Sequence, residues 1–329
     1  MTEPTATGAM TLARPTGWQL LRAHQAAWIS FWIIIALTIL AFVVPPFMPD
    51  ALKHTSDYTF LAPFVRDQAG NFHLMGTDLN GQDLFYRVLS GARVSLVVGW
   101  SAALVSLITG TAYGVISGYA GGKVDAWMMR LLDLIYSIPR LLFIMIFVAV
   151  FDPIIKKSLD VWRISAEKNQ SFGLAGMLKD FAPYSKIFLL IISLGLIAWL
   201  TMARIIRGQV LALKEQQFIT AARAMGQSHW GIIRLHLLPN LSTIILTYLT
   251  LTIPSVILDE SFLSFLGLGI DDPAASLGSL LKDGASVINI LDNKWWLLAF
   301  PATMLSLSLL SLNFLGDGLR DAFDPRSRK

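Results

Sequence analysis

Six stretches of this 329-residue chain are apolar for long enough to cross a bilayer core as helix, which takes about 20 residues. Residues 25–49 carry no charge and end in Pro45-Pro46, and 29 uncharged residues separate Arg93 from Lys123. Residues 128–151 form a third run, interrupted by Arg130, Asp133 and Arg140. The fourth, 187–203, has only 17 residues, but Lys186 and Arg204 flank it and their long side chains reach the interface. Residues 235–258 hold His236 as their one chargeable group, and 295–316 opens with Trp295-Trp296, a pair suited to anchoring at the headgroups. Composition agrees: 54% of residues are hydrophobic and 15% charged, against roughly 25% charged in an ordinary soluble domain. A water-soluble fold of this length cannot hide that much apolar surface. The expectation is an all-α polytopic membrane protein with six transmembrane helices.

An even number of spans puts both termini on one side. With both inside, segments 1–22, 123–130, 204–234 and 317–329 hold 13 Lys and Arg against 6 Asp and Glu. The outside segments then hold 12 against 15. The excess of Lys and Arg favours this orientation, while the basic stretch 152–186 runs against it, so hydropathy leaves the orientation open. Residues 1–22 contain Arg14 and Arg22, but the apolar run after them is too long for a signal-peptide core and reads as a retained anchor. The net charge of +4, spread over short loops, is explained by membrane orientation rather than by nucleic-acid binding. The chain has no cysteine, which excludes a disulfide framework, a thiol nucleophile and a thiolate metal site.

Between the fourth and fifth spans, the loop Arg204 to Arg234 centres on Thr220-Ala221-Ala222-Arg223-Ala224-Met225-Gly226, and Leu238-Pro239-Asn240 follows twelve residues later. Two short helices are expected to meet near Gly226, where glycine permits a left-handed turn, and Pro239 starts or kinks the next helix. Ala221, Ala222 and Ala224 offer a side-chain-poor surface for close packing of another protein. Composition alone favours a loop lying on the headgroups, anchored by Arg204, Arg207, Lys214, Arg223 and Arg234.

The order of residues decides more. The spacing Ala-Ala-x3-Gly-x11-Leu-Pro resembles the cytoplasmic loop of the membrane subunits of ABC importers, which docks into a groove on the ATP-hydrolysing subunit. Gly76-Thr77-Asp78-Leu79-Asn80-Gly81-Gln82-Asp83, with Arg87, Gly91-Ala92-Arg93, Ser95-Leu96 and Gly99, is similar to the segment before the second span in dipeptide/oligopeptide/nickel permeases. So are Gly118-Tyr119-Ala120-Gly121-Gly122 with Asp125, Met129-Arg130 and Asp133, the stretch Glu260 to Gly269, and the ending Gly316 to Asp321 with Asp324-Pro325. Together these patches cover most of residues 75–150 and 190–326, and the likeness is nearest to the C-type subunits of oligopeptide permeases. Two positions depart from the wider loop pattern: Thr220 stands where importers carry Glu, and His236 where they carry Ile. The resemblance implies that the first would weaken a salt bridge or capping contact at the partner interface without abolishing docking.

The resemblance implies a multi-pass subunit of a bacterial inner membrane, with both termini cytoplasmic. Its partners would be a homologous second permease subunit, two ATP-binding subunits that carry the ATP and Mg, an extracytoplasmic substrate-binding protein and the lipid bilayer, with no nucleic acid. The implied organisation is a cytoplasmic tail 1–24, a first transmembrane helix 25–49, an extracytoplasmic loop 50–93, a core permease domain 94–317 with five transmembrane helices, and a cytoplasmic tail 318–329. Within the core lie an outside insertion 152–186, with a short helix, and a coupling loop 204–240 in which Thr220, Ala221, Ala222, Arg223, Gly226, Leu238 and Pro239 meet the ATPase. The implied cargo is oligopeptides or dipeptides, with nickel or another small solute as the alternative within the class.

Four charged residues in or near the spans are candidates for the pathway or for an interface: Asp133, Arg140, Asp259 and Glu260. Asp133 and Arg140, seven apart on one expected helix, are too far apart to pair and would meet another subunit. Asp259 and Glu260 fall at the outer end of the fifth span, at the interface or lining the path. His236 is expected in a loop or cap, not at a metal. The chain contains no phosphate-binding Gly-x4-Gly-Lys-Ser/Thr loop and no Gly-x-Ser-x-Gly or His-Glu-x-x-His motif, so no catalysis or cofactor is expected in it. Gly110, Gly114 and Gly118 repeat at four-residue spacing and predict a close helix-packing seam. The reading of another class is an ATP-independent secondary transporter or channel, which predicts inverted repeats and discontinuous helices with paired charges.

Overall fold

The computed structural model describes residues 17–53, 58–169, 171–270, 274–288 and 293–323. Residues 1–16 and 324–329 of the two expected tails, with Asp324-Pro325, lie outside the described residues. In lipid every backbone N–H and C=O must be satisfied within the protein, and helices do this most simply. Accordingly the described residues are almost all helical.

A short α1 (Gly17–Ala23) leads into α2 (Gln25–Phe47), α3 (Asp50–Lys53) and a two-stranded antiparallel hairpin, β1 (Val65–Arg66) and β2 (Phe72–His73). The long α4 (Leu84–Ala120), α5 (Gly122–Tyr136), α6 (Arg140–Lys168), α7 (Phe172–Phe181) and α8 (Ser185–Lys214) come next. The short α9 (Gln217–Ala224) and α10 (His229–Ile232) precede α11 (Leu238–Phe265), α12 (Leu277–Val287) and α13 (Trp296–Phe323). Among the described residues, five helical stretches are long and apolar enough to cross a membrane: Gln25–Phe47, Leu84–Ala120, Ser185–Lys214, His229–Phe265 and Trp296–Ala322. The sixth span exists only if α5 and α6, bent by 81° at a short break, count as one.

That break corrects the expected continuous helix over 128–151. Ser137 N–H closes the last turn of α5 onto Asp133 O, and its hydroxyl donates to Leu134 O at 2.7 Å. Proline at 139 has no N–H to continue the ladder and disfavours helical geometry in the residue before it, so Arg140 begins a new helix. Hydropathy is continuous across the break and conceals it. The 152–186 segment differs too: α6 continues through it to Lys168, and α7 is its short helix.

The motif Gly76 to Asp83 forms a polar knot that starts α4. Asp83 caps the helix by accepting from Tyr86 N at 2.9 Å, and its other oxygen meets His73 Nδ1 at 2.8 Å. Asp78 accepts from Asn80 N and Gln82 N and pairs with buried Arg87 at 2.7 Å. Gly76 (φ +83°) lies so close to the backbone of Leu61 and Ala62 that a Cβ would not fit.

From there α4 runs the depth of the fold against α8. A Cβ on Gly110 would sit 2.6 Å from Met202 Cβ, on Gly114 2.5 Å from Ala203 O, and on Gly118 2.9 Å from Arg207 O. The expected seam is therefore the α4–α8 interface. One apolar core joins α2, α4, α11, α12 and α13, and a second joins α4, α6, α8 and α11. A third, at the Lys214 end of α8, binds α9 and α10 to α4, α8 and α11.

Candidate functional site

The third core carries the helix-turn-helix expected in the 204–240 stretch. Ile219 and Ala222 on α9 are buried against Ile232, Leu237 and Leu241, so α9 is fixed by one face. Gly226 (φ +79°) ends α9: its N–H donates to Arg223 O at 3.0 Å and Gln227 N–H to Ala222 O at 3.1 Å, the pair of bonds that closes a helix through a left-handed residue. Ser228 then caps α10 through Gly231 N. His236, expected in a loop or cap, lies instead in a π-helical turn, and its Nε2 meets Gln227 Oε1 at 2.8 Å. A single π-helical turn, Ile233–Leu237, joins α10 to α11, and Leu238 and Pro239 occupy the first turn of α11.

The arrangement corrects two parts of the sequence reading. Ala222 is 1% exposed and holds α9 to its own chain, while Ala221, Ala224, Thr220 and Arg223 face outward. Arg204, Arg207 and Lys214 are not free headgroup anchors: α8 extends through all three, and each has a partner within the chain. Arg207 donates to both oxygens of Asp125 at 2.6 Å, and Ser117 donates to the same carboxylate. Arg204 pairs with Asp133 at 2.8 Å, and Lys214 Nζ donates to Gly118 O at 3.1 Å. These contacts clasp α5 and the α4–α5 corner to α8.

Tyr119 extends the clasp to the helix-turn-helix. Its hydroxyl lies 2.8 Å from His229 Nδ1, and the Arg223 guanidinium sits 5.6 Å from its ring centre. Neither Tyr119 nor His229 stood out in sequence, although Tyr119 lies inside the Gly118–Gly122 motif. What the element leaves uncovered is apolar: Met225, Trp230 and Leu235 are each more than 60% exposed, and Phe218 is 41% exposed.

The candidate charges of the spans find partners inside the chain. Asp133 and Arg140 lie on different helices, and neither needs another subunit: Asp133 takes Arg204, and Arg140 forms an ion pair with Asp259 of α11. Glu260 is fully buried within the chain. Ser264 and Ser95 donate to its carboxylate at 2.7 and 2.9 Å, and Ser95 also accepts from Leu277 N, so the residue ties α11 to α4 and α12. Ser95 and Leu277 lie far from Glu260 in the chain, and local sequence spacing cannot bring them together. Among the described residues no group of three or more His, Asp or Glu side chains is placed to hold a metal ion.

Residues 110–329 match the model of the family described as binding-protein-dependent transport system inner membrane component. The chain belongs to this family. It is thus a permease subunit of an ABC importer, the membrane-spanning part, with ATP hydrolysed by separate subunits. Residues 16–63 match a second model, the N-terminal TM domain of oligopeptide transport permease C. The chain is 39% identical over 307 residues to the oligopeptide transport system permease protein OppC of Haemophilus influenzae, covering 93% of this chain and 86% of that one. Its identity to OppC of Escherichia coli K12 is 39% over 305 residues, with 93% and 89% covered. To the dipeptide transport system permease protein DppC of Bacillus subtilis it is 36% over 312 residues, with 95% and 85% covered. The broken α5–α6 pair and the Arg140–Asp259 charges are traits expected of a secondary transporter, and here they occur within an importer permease.

Proposed function

We propose that this permease carries short peptides, the substrates in the names of the relatives, through a path it forms with a homologous permease subunit in a bacterial inner membrane. Both termini, and the helix-turn-helix of the 204–240 stretch, face the cytoplasm. Segments 50–93 and 152–186 face outward, where an extracytoplasmic binding protein delivers the peptide. Two ATPase subunits, which hold the ATP and Mg, dock on α9 and α10 through Thr220, Ala221, Arg223 and Gly226 and the apolar side chains around them. Ala222 supports that surface from within, and Leu238 and Pro239, in the first turn of α11, lie beside it.

The observation that carries this reading is the contrast between the two faces of the helix-turn-helix. One face is set into a core shared with α4, α8 and α11, and the other presents Phe218, Met225, Trp230 and Leu235 uncovered. An element seated in three spans and apolar outside transmits a push from a docked protein into those spans, and shifts the balance of outward- and inward-open states as nucleotide binds. The test is uptake of labelled tripeptide by proteoliposomes holding the whole importer. Uptake that needs the binding protein and ATP, and that Trp230→Ala abolishes while the subunits still assemble, supports the reading. Uptake without ATP, or unaffected by loss of Trp230 and Met225, defeats it.

A further inference from the structure

We infer that the Arg140–Asp259 pair at the α5–α6 break is a subsite for the charged termini of a peptide in transit, an inference that rests on the peptide-permease reading above. The break opens a cavity of about 240 Å³ against the middle of α8, lined by Tyr136, Ser137, Arg140, Ile197, Ala198 and Thr201, and Asp259 joins it through its ion pair with the lining Arg140. Arg140 and Asp259 keep 38% and 17% of their side-chain surfaces accessible. Charged groups this far within spans are costly against lipid and belong on a wet path or a covered face. Arg140 also has capacity to spare, since its Nε is buried and makes no hydrogen bond.

The other candidate charges lack this combination. Glu260, one residue on, is sealed and saturated by serines, and Asp133–Arg204 lines no such cavity. Ligand pockets for drug-sized molecules begin near about 300 Å³, so this one takes the end of a peptide and not its length. A peptide carries one carboxylate and one ammonium, the same two charges as the pair. When it arrives, Arg140 exchanges Asp259 for the terminal carboxylate, which suits the planar guanidinium, or Asp259 exchanges Arg140 for the ammonium, according to which end enters. The empty site stays neutral because its two residues neutralise each other.

The test uses the complete importer in proteoliposomes, with trialanine, its C-terminal amide and its N-acetyl derivative as cargo. Each rate is taken as a ratio to trialanine, and each variant's ratio is divided by the wild type's, which cancels the preference of the binding protein. Arg140→Gln is expected to erode the advantage of trialanine over the amide by about tenfold, as loss of one charge-assisted hydrogen bond implies. Asp259→Asn is expected to do the same for trialanine over the N-acetyl peptide. The double variant Arg140→Gln, Asp259→Asn strands no charge, so its assembly is not at issue, and it is expected to lose both advantages. Unchanged ratios in the double variant, or single variants that slow all three cargoes equally, overturn the inference and leave the pair as an interhelical clamp. No uptake of any of the three by the wild type instead overturns the peptide reading itself.

Discussion

Replacing Gly114 with Ala tests the packing account with one methyl group. The added carbon would lie 2.5 Å from Ala203 O, 2.8 Å from Ile206 Cβ and 3.0 Å from Arg207 N. Two of these neighbours are backbone atoms of α8 that no rotamer change can move, so α4 and α8 must separate. Overpacking of this kind costs about 1–3 kcal/mol, and contacts this short place it in the upper half of that range. Alanine also favours helix over glycine by about 1 kcal/mol, so the net loss is about 1–2 kcal/mol. Gly208→Ala is the matched control: it lies on α8, exposed, with nothing within 4 Å of the added carbon. There the same propensity gain acts alone, and the variant is stabilised by about 0.5–1 kcal/mol. The gain cancels between the two, and their difference of about 2–3 kcal/mol isolates the clash. Equilibrium unfolding of the detergent-solubilised protein by SDS, followed by helicity, measures it. A Gly114→Ala protein as stable as Gly208→Ala would refute the claim that this seam sets the approach of α4 and α8.

Three further outcomes are expected. Asp125→Ala strands Arg207, which otherwise donates twice to that carboxylate, and should cost about 1–3 kcal/mol in the same unfolding assay. If Arg207→Ala is no less harmful on the Asp125→Ala background than alone, the two residues do not act as a pair. Gly226→Ala forces a side chain into the left-handed region, at a cost of about 1–2 kcal/mol, and should speed proteolysis between α9 and α10, whereas Gly208→Ala should not. In the β1–β2 hairpin, burial opposes ionisation of Asp67. Hydrogen bonds from the Asn71 side chain and backbone, with the His73 ring 3.5 Å from the carboxylate, outweigh it and hold the carboxyl below the usual carboxylate range. A carboxyl lowered by folding stabilises the fold above its unfolded value and loses that contribution as acid protonates it. Hydrogen exchange over residues 65–73 should thus stay slow from neutral pH to about 4 and quicken below, and Asp67→Asn should remove the acid step. An unchanged acid step in that variant would assign it to another group.

Periodicity and glycine spacing were the legible part of this chain. The seam at Gly110, Gly114 and Gly118, the left-handed turn at Gly226 and the start of α11 at Pro239 lie where spacing places them. Each depends on backbone geometry that only a few residue types permit. The break at Pro139 was half-legible. The proline and Arg140 were visible in the third run, but a hydropathy window averages over a bend and reports one span. The inward face of α9 was open to reading as well, because Ile219 and Ala222 are three apart, yet alanine is small enough to be mistaken for surface. The partners of the charged residues were out of reach. Arg140 with Asp259, Arg204 with Asp133, and Glu260 with Ser95 join residues far apart in the chain, and only the packed helices bring them together.

The docking role of the helix-turn-helix is the central claim, and the absence of native cysteine makes its direct test clean. A single cysteine at exposed Ala221, a second at buried Ala222 as the negative position, and a matching cysteine on the ATPase subunit are to be oxidised in native membranes with and without nucleotide. The account predicts a crosslink at Ala221 whose yield changes with nucleotide, and none at Ala222. No crosslink at Ala221, Ala224 or Gln227, with the ATPase present and the permease inserted, would contradict it.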